Sequence, residues 1–355
     1  MTPSTRIRAG AALAVIAAAL ACAAPSFAQA APDAAAIAGS YQPPRTAFGK
    51  PDLQGNWSNA SVTRMERPPG LPLVLTRAQA DKLEGGALIN QRLADTSASY
   101  VDPKEGAPEK GKPLPPVGNY DVAYTDPGKT VAHIGGELRS SFITFPENGR
   151  IPALTEEGRK MRAANPRRLG TGYDNPEERG LSERCMFMGT GGPPFGNYLY
   201  NNNFQIVETP NNLMIMSEMI HDVRIARIGG EHRKDNVQPW MGDSIAHWDG
   251  DTLVVETNHI NPAQRAGSVL LSDSGKVTER FTRISDSQIL YEFEINDPVV
   301  YTSVWRGQMP LNKSNDQLYE YACHEGNYGL QDILKGGRHD DHIGAEHTGG
   351  KDRGE

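Results

Sequence analysis

From Asn203 onward the sequence repeats one pattern: a short stretch rich in β-branched and aromatic residues, a turn signal, then another stretch. Residues 203–208 and 213–218 flank Pro210-Asn211, and 221–228 ends at Gly229-Gly230. Asp249-Gly250-Asp251 leads into 252–257, and stretches at 277–283, 288–295, 299–308 and 317–323 follow. Strand signals at such spacing predict an all-β barrel or sandwich. The 288–295 stretch alternates cleanly, with Ile289, Tyr291, Phe293 and Ile295 on one face and Glu292 and Glu294 on the other. One face therefore meets a core and the other meets water. The expected fold is mainly β, an antiparallel barrel of calycin-like shape or a sandwich. An irregular N-terminal half with short helices wraps it.

That half is turn-rich, in a chain with 37 Gly and 26 Pro among 355 residues. Thr76-Arg77-Ala78-Gln79 is a capping box that predicts a helix to about residue 93. Residues 101–128 are proline-rich and read as a surface excursion. Thr155 is placed to cap a helix running to about residue 163.

The first thirty residues read as a secretory signal. Arg6 and Arg8 precede an apolar stretch at 9–20, too short to span a bilayer, and Ala28-Gln29-Ala30 offers a cleavage site. Leu20-Ala21-Cys22 offers lipoprotein processing as an alternative. Residues 31–50 read as a linker, 51–335 as a single mainly-β domain and 336–355 as a disordered tail. The expected location is periplasmic or secreted. Removing residues 1–30, which carry two arginines and no acid, takes the net charge from −7 to −9. An acidic chain without a basic run argues against nucleic acid and anionic membrane as partners. Nothing after the N-terminus is long and apolar enough for a membrane span. Two cysteines then remain, Cys185 and Cys323, and an oxidising compartment allows one disulfide between them.

Several long segments carry a resemblance. They include the Leu181-Ser182-Glu183-Arg184-Cys185 run, His221-Asp222-Val223-Arg224-Ile225, the GDSIAHWDGDTLVVET run at 242–257 and the YACHEGNYGL run at 321–330. Together they resemble a widespread family of exported bacterial proteins of uncharacterised function, over roughly residues 48–338. The resemblance implies an exported location and a mostly β body. It carries no catalytic roles.

Candidate chemistry therefore comes from the residues. Gly242-Asp243-Ser244-Ile245-Ala246 falls one glycine short of a nucleophile elbow and reads as a polar turn. His221, His247 and His324 each lie near an acid, Asp222, Asp249 and Glu325. If the fold brings the three imidazoles together, they would hold a divalent metal such as zinc. Strand alternation puts His221 with Val223 and Ile225 on the apolar face, and Asp222 with Arg224 on the other, where they would pair. His221, His247, His324, Glu325 and Asp243 are thus the candidate catalytic groups. Arg184, Arg224, Asn327 and Trp248 are candidates for holding an anionic or hydroxylated ligand. The aromatic residues suit a ring-binding cleft as well as a core. The leading expectation is an exported enzyme doing histidine-based hydrolysis or elimination on a small molecule, metal-assisted where the three imidazoles converge. A lipocalin-like small-molecule binding protein is the alternative, and an envelope interaction protein the third.

Overall fold

The computed structural model describes residues 34–97, 126–164, 173–262 and 269–342. The signal segment, Cys22 and most of the proline-rich excursion lie outside the described residues. In chain order the elements are α1 (Ala34–Ala38), β1 (Gly55–Ser58), β2 (Val74–Leu75), α2 (Arg77–Ser97), β3 (Ala132–Ile134), β4 (Glu137–Arg139), β5 (Ile143–Phe145) and α3 (Glu156–Ala164). Then come β6 (Asn203–Glu208), β7 (Asn212–Ser217), β8 (Val223–Ile228), β9 (Asp243–Asp249), β10 (Thr252–Asn258), β11 (Lys276–Ser285), β12 (Gln288–Asn296), β13 (Trp305–Ser314) and α4 (Tyr328–His342).

Nine strands form a ring in the order β1, β6, β7, β8, β9, β10, β11, β12, β13, and β13 pairs back onto β1 with Trp57 opposite Lys313. The ring makes this a barrel rather than a sandwich. Its joints are antiparallel except β8–β9, which is parallel over Ala226–Ile228 and Ser244–Ala246. Tight turns give antiparallel neighbours, whereas the long connection 229–242 carries the chain back to the end where β8 began. Strand β5 adds to the opening half of β13, and β2, β4 and β3 form a separate small sheet.

Both anticipated caps are present. The Thr76 amide donates to Gln79 Oε1 at 2.9 Å and the Gln79 amide to Thr76 Oγ1 at 3.3 Å. Thr155 Oγ1 accepts from the Gly158 amide at 3.0 Å at the start of α3. The alternation in β12 holds too, with Ile289, Tyr291, Phe293 and Ile295 all buried. They join Trp57, Phe204, Ile215, Val255, Phe281 and Trp305 in one core cluster.

The interior is filled by a side chain from outside the strands. Phe195, fully buried, lies 4.5 Å from the Phe204 ring and 4.7 Å from Tyr291, with Phe281 edge-on at 6.1 Å. Its amide donates to Tyr291 Oη at 3.1 Å, which satisfies a polar group inside the apolar core. Burying such a ring stabilises by about 1.5–3 kcal/mol. The 186–195 segment thus acts as a plug.

Five expectations need correction. Residues 34–38 are a short helix whose buried Ala34 packs with Ile134 and Leu290, so the linker reading fails there. Residues 317–323 form no strand, and the strand expected at 299–308 lies at Trp305–Ser314. The start of the expected tail is helical, because α4 buries Leu334 and its Arg338 donates to Asp174 O at 3.0 Å. Finally, the face of β8 is reversed. Val223 and Ile225 are exposed, while Asp222, Arg224 and Ala226 are buried. A guanidinium, rather than an aliphatic row, points into the barrel because a partner waits there.

Candidate functional site

That partner is Glu279 on β11. Arg224 makes a bidentate pair with it, Nη1 to Oε2 and Nη2 to Oε1, the latter at 2.8 Å. Tyr291 Oη donates to the same Oε1 at 2.8 Å. Burial first, then the neighbouring Glu279 charge, pushes the Tyr291 hydroxyl well above its ordinary range. Among the described residues the buried Arg224 Nε has no hydrogen-bond partner. The expected Asp222–Arg224 pair is not formed. Asp222 instead accepts from the Met188 amide of the plug at 3.2 Å. Burial pushes its carboxyl up to about 6, against the pull of that amide.

The plug end of the barrel also carries an open cleft. It has a volume of about 380 Å³ and is walled by Ser182, Glu183, Cys185, Tyr321, Cys323 and Asn327, with Glu320 beside them. The Cys185–Cys323 disulfide is part of its lining, with Cα atoms 5.7 Å apart. It ties the plug segment to the turn before α4. Asn327 fixes the wall, with Nδ2 donating to Glu183 O at 2.8 Å and to Cys185 Sγ at 3.4 Å. Glu183 is held by Arg179, Nε to Oε2 at 2.8 Å and Nη2 to Oε1 at 3.3 Å. The Tyr321 amide donates to His221 Nε2 at 3.4 Å. A neutral His221 therefore carries its proton on Nδ1.

Backbone strain gathers here. Cys185, Asn201, Ile220 and His221 have φ of 53°, 62°, 62° and 54°. Among the described residues only His259 is another non-glycine case. Each such residue costs about 1–3 kcal/mol and persists only where its surroundings enforce it, which is commonest at functional sites. The surroundings are visible: Asn201 Oδ1 accepts from the Met219 amide at 2.8 Å, its Nδ2 donates to Thr190 Oγ1, and the Ser217 amide donates to Asp222 O at 2.9 Å.

A second polar cluster lies around β9. Asp243 is buried and accepts from Arg227 (Nη1 2.8 Å, Nη2 3.2 Å) and from the Arg233 amide at 2.9 Å. His232 Nδ1 lies 2.9 Å from its Oδ2. Burial pushes the Asp243 carboxyl up, but the bonds from Arg227, the Arg233 amide and His232 outweigh it and hold it at about 2. An anionic carboxylate thus fixes one imidazole nitrogen and leaves the other to point away.

The candidates of the sequence divide between these places. Asn327, Cys185 and Cys323 line the cleft, and His221 is joined to it through the Tyr321 amide, with exposed His324 and Glu325 in the adjoining turn and Arg184 near it, 3.8 Å from Glu177. Asp243 belongs to the β9 cluster. His247 is exposed on β9, opposite Val254, and Trp248 packs partly against the core. Arg224 is inside the barrel. The three-histidine metal centre is therefore not assembled. Among the described residues no group of three or more His, Cys, Asp or Glu could hold a metal ion. The physical reason is placement: His221 and His324 sit on turns, whereas His247 is held by strand pairing on a different part of the ring.

Reading residue by residue missed Glu320 and Tyr321 in the cleft and His232 beside Asp243. The disulfide was the available signal for the first two, since it joins the 181–185 and 321–328 motifs. Among the described residues no helix is long and apolar enough to cross a membrane. No family model, curated protein or solved structure matches this chain.

Proposed function

We propose that this is an exported protein that binds a small polar molecule in the cleft beside the Cys185–Cys323 disulfide. The observation that carries the reading is the cleft itself, at about 380 Å³, clamped by a covalent bond and bordered by strained residues. Ligand pockets run from about 300 to 1,000 Å³. The plugged interior argues against a ligand held lipocalin-fashion between the strands. Export is supported by the signal-like first thirty residues and by the disulfide. The acidic net charge supports a partner other than nucleic acid. The resemblance to exported bacterial proteins fits the same picture.

The test is a fragment library of neutral, cationic and anionic compounds, followed by amide shifts in the chain from residue 31. Hits are expected to move residues 182–185 and 320–327, and Ala322→Trp should abolish them by filling the cleft. Hits confined to strand residues inside the barrel, with the cleft silent, would overturn the reading.

A second reading has one specific observation behind it. The His232–Asp243 dyad has the arrangement of an acid–base pair, with the carboxylate orienting the imidazole. On this reading the protein is an enzyme of hydrolysis or elimination that uses His232. Turnover of p-nitrophenyl acetate above the rate of free imidazole is then expected, and His232→Gln should remove it. Equal rates in the two proteins would exclude the dyad.

A further inference from the structure

We infer that the ligand of the cleft is an uncharged polyhydroxylated ring, of the sugar class; this rests on the cleft being the ligand site. The polar side chains of the lining residues are mainly acceptors: the Glu183 and Glu320 carboxylates, with the Ser182 hydroxyl able to accept or donate. Asn327 is already committed, since Nδ2 bonds Glu183 O and Cys185 Sγ and Oδ1 accepts from the Leu330 amide at 3.4 Å. A wall of acceptors needs a ligand that brings donors, and ring hydroxyls bring several.

Charge decides between the remaining classes. Among the described residues no lysine or arginine lines the cleft. An anion would meet the Glu320 carboxylate and a Glu183 whose charge Arg179 already balances, with no lining cation left to hold it. A cation would meet Glu183 already neutralised by the Arg179 fork. Glu320 alone would remain for it, on the exposed surface where solvent screens a single charge. Neutralisation removes the net pull of Glu183 on a cation, yet each of its oxygens keeps a lone pair for a hydroxyl. Tyr321, 39% exposed, adds an aromatic wall suited to the apolar face of a ring. The volume is at the small end of the ligand range, so it suits one ring or two.

The experiment titrates the disulfide-intact chain from residue 31 with glucose, galactose, xylose and N-acetylglucosamine, following backbone amide shifts. Cadaverine and glutarate are the cationic and anionic controls. At least one sugar is expected to shift residues 182–185 and 320–327 saturably. Glu320→Gln should weaken it about tenfold, because a hydrogen bond to a charged acceptor is stronger than one to an amide. Tyr321→Ala should weaken it similarly, with the circular dichroism spectrum unchanged in both variants. Saturation by cadaverine or glutarate instead of the sugars would overturn the sugar class and leave the cleft standing. If no sugar binds while library fragments occupy the cleft, only the sugar class falls. If sugars and fragments all fail, both readings fall together.

Discussion

Replacing Glu279 by alanine is expected to lower the unfolding free energy by about 3–5 kcal/mol, the usual consequence of leaving a buried charge without its partner. Arg224 and Glu279 are both almost wholly removed from solvent, and among the described residues Glu279 is the acid that the guanidinium pairs with. Tyr291 would lose its acceptor at the same time, and it is the group that receives the Phe195 amide. The loss therefore spreads to the plug. The double replacement Arg224→Met with Glu279→Leu should recover most of the stability, because desolvating two charges offsets much of their attraction. Urea unfolding of the three proteins measures this. A single-variant cost below about 1 kcal/mol would show the pair to be solvated and the barrel wetter than its packing implies.

The second large effect concerns pH. Glu208 closes β6 with its carboxyl buried, one oxygen accepting from the Leu53 amide at 3.3 Å and the other without a partner among the described residues. Burial pushes this carboxyl up from 4.5 to about 7, against the Leu53 bond and with a further push from Asp52. In the folded chain the proton is thus held more tightly than in the unfolded chain. The native state is relatively favoured below pH 4.5, and that advantage is lost as pH rises towards 7. A shift of this size corresponds to about 3 kcal/mol at high pH. Glu208→Gln keeps the acceptor for Leu53 and removes the charge. It should be the more stable protein at pH 8.5, by about 2 kcal/mol after allowing for the amide it buries. The two proteins should converge near pH 4. A difference independent of pH would mean that Glu208 is ionised without penalty.

What the sequence disclosed depended on periodicity. In β12 each inward position is apolar, so a period of two placed Ile289, Tyr291, Phe293 and Ile295 correctly. In β8 the same rule chose the wrong face. Arg224 is inside only because Glu279, far along the chain, is inside as well, and no local pattern encodes that match. The capping residues Thr76 and Thr155 were legible because a cap acts within a few residues. Helix α4 was not, since Gly336 and Gly337 lower helix propensity and packing on Asp174 and Tyr173 supplies what they lack. Of the site, the disulfide partners followed from cysteine count and compartment. The Phe195 plug and the His232–Asp243 contact depend on how loops cross the barrel, which alternation does not specify.

The ring closes between its two most distant strands, with Trp57 paired to Lys313. A chain emerging end first, from a ribosome or through a membrane pore, cannot make that joint until nearly all of it is out. Until then one side of β1 and of β12 waits as an unpaired strand edge, open to any passing strand. The barrel is thereby compatible with passage in an extended form and at risk while it waits. A stop codon before residue 305 should yield a sticky, protease-sensitive fragment rather than a smaller folded protein.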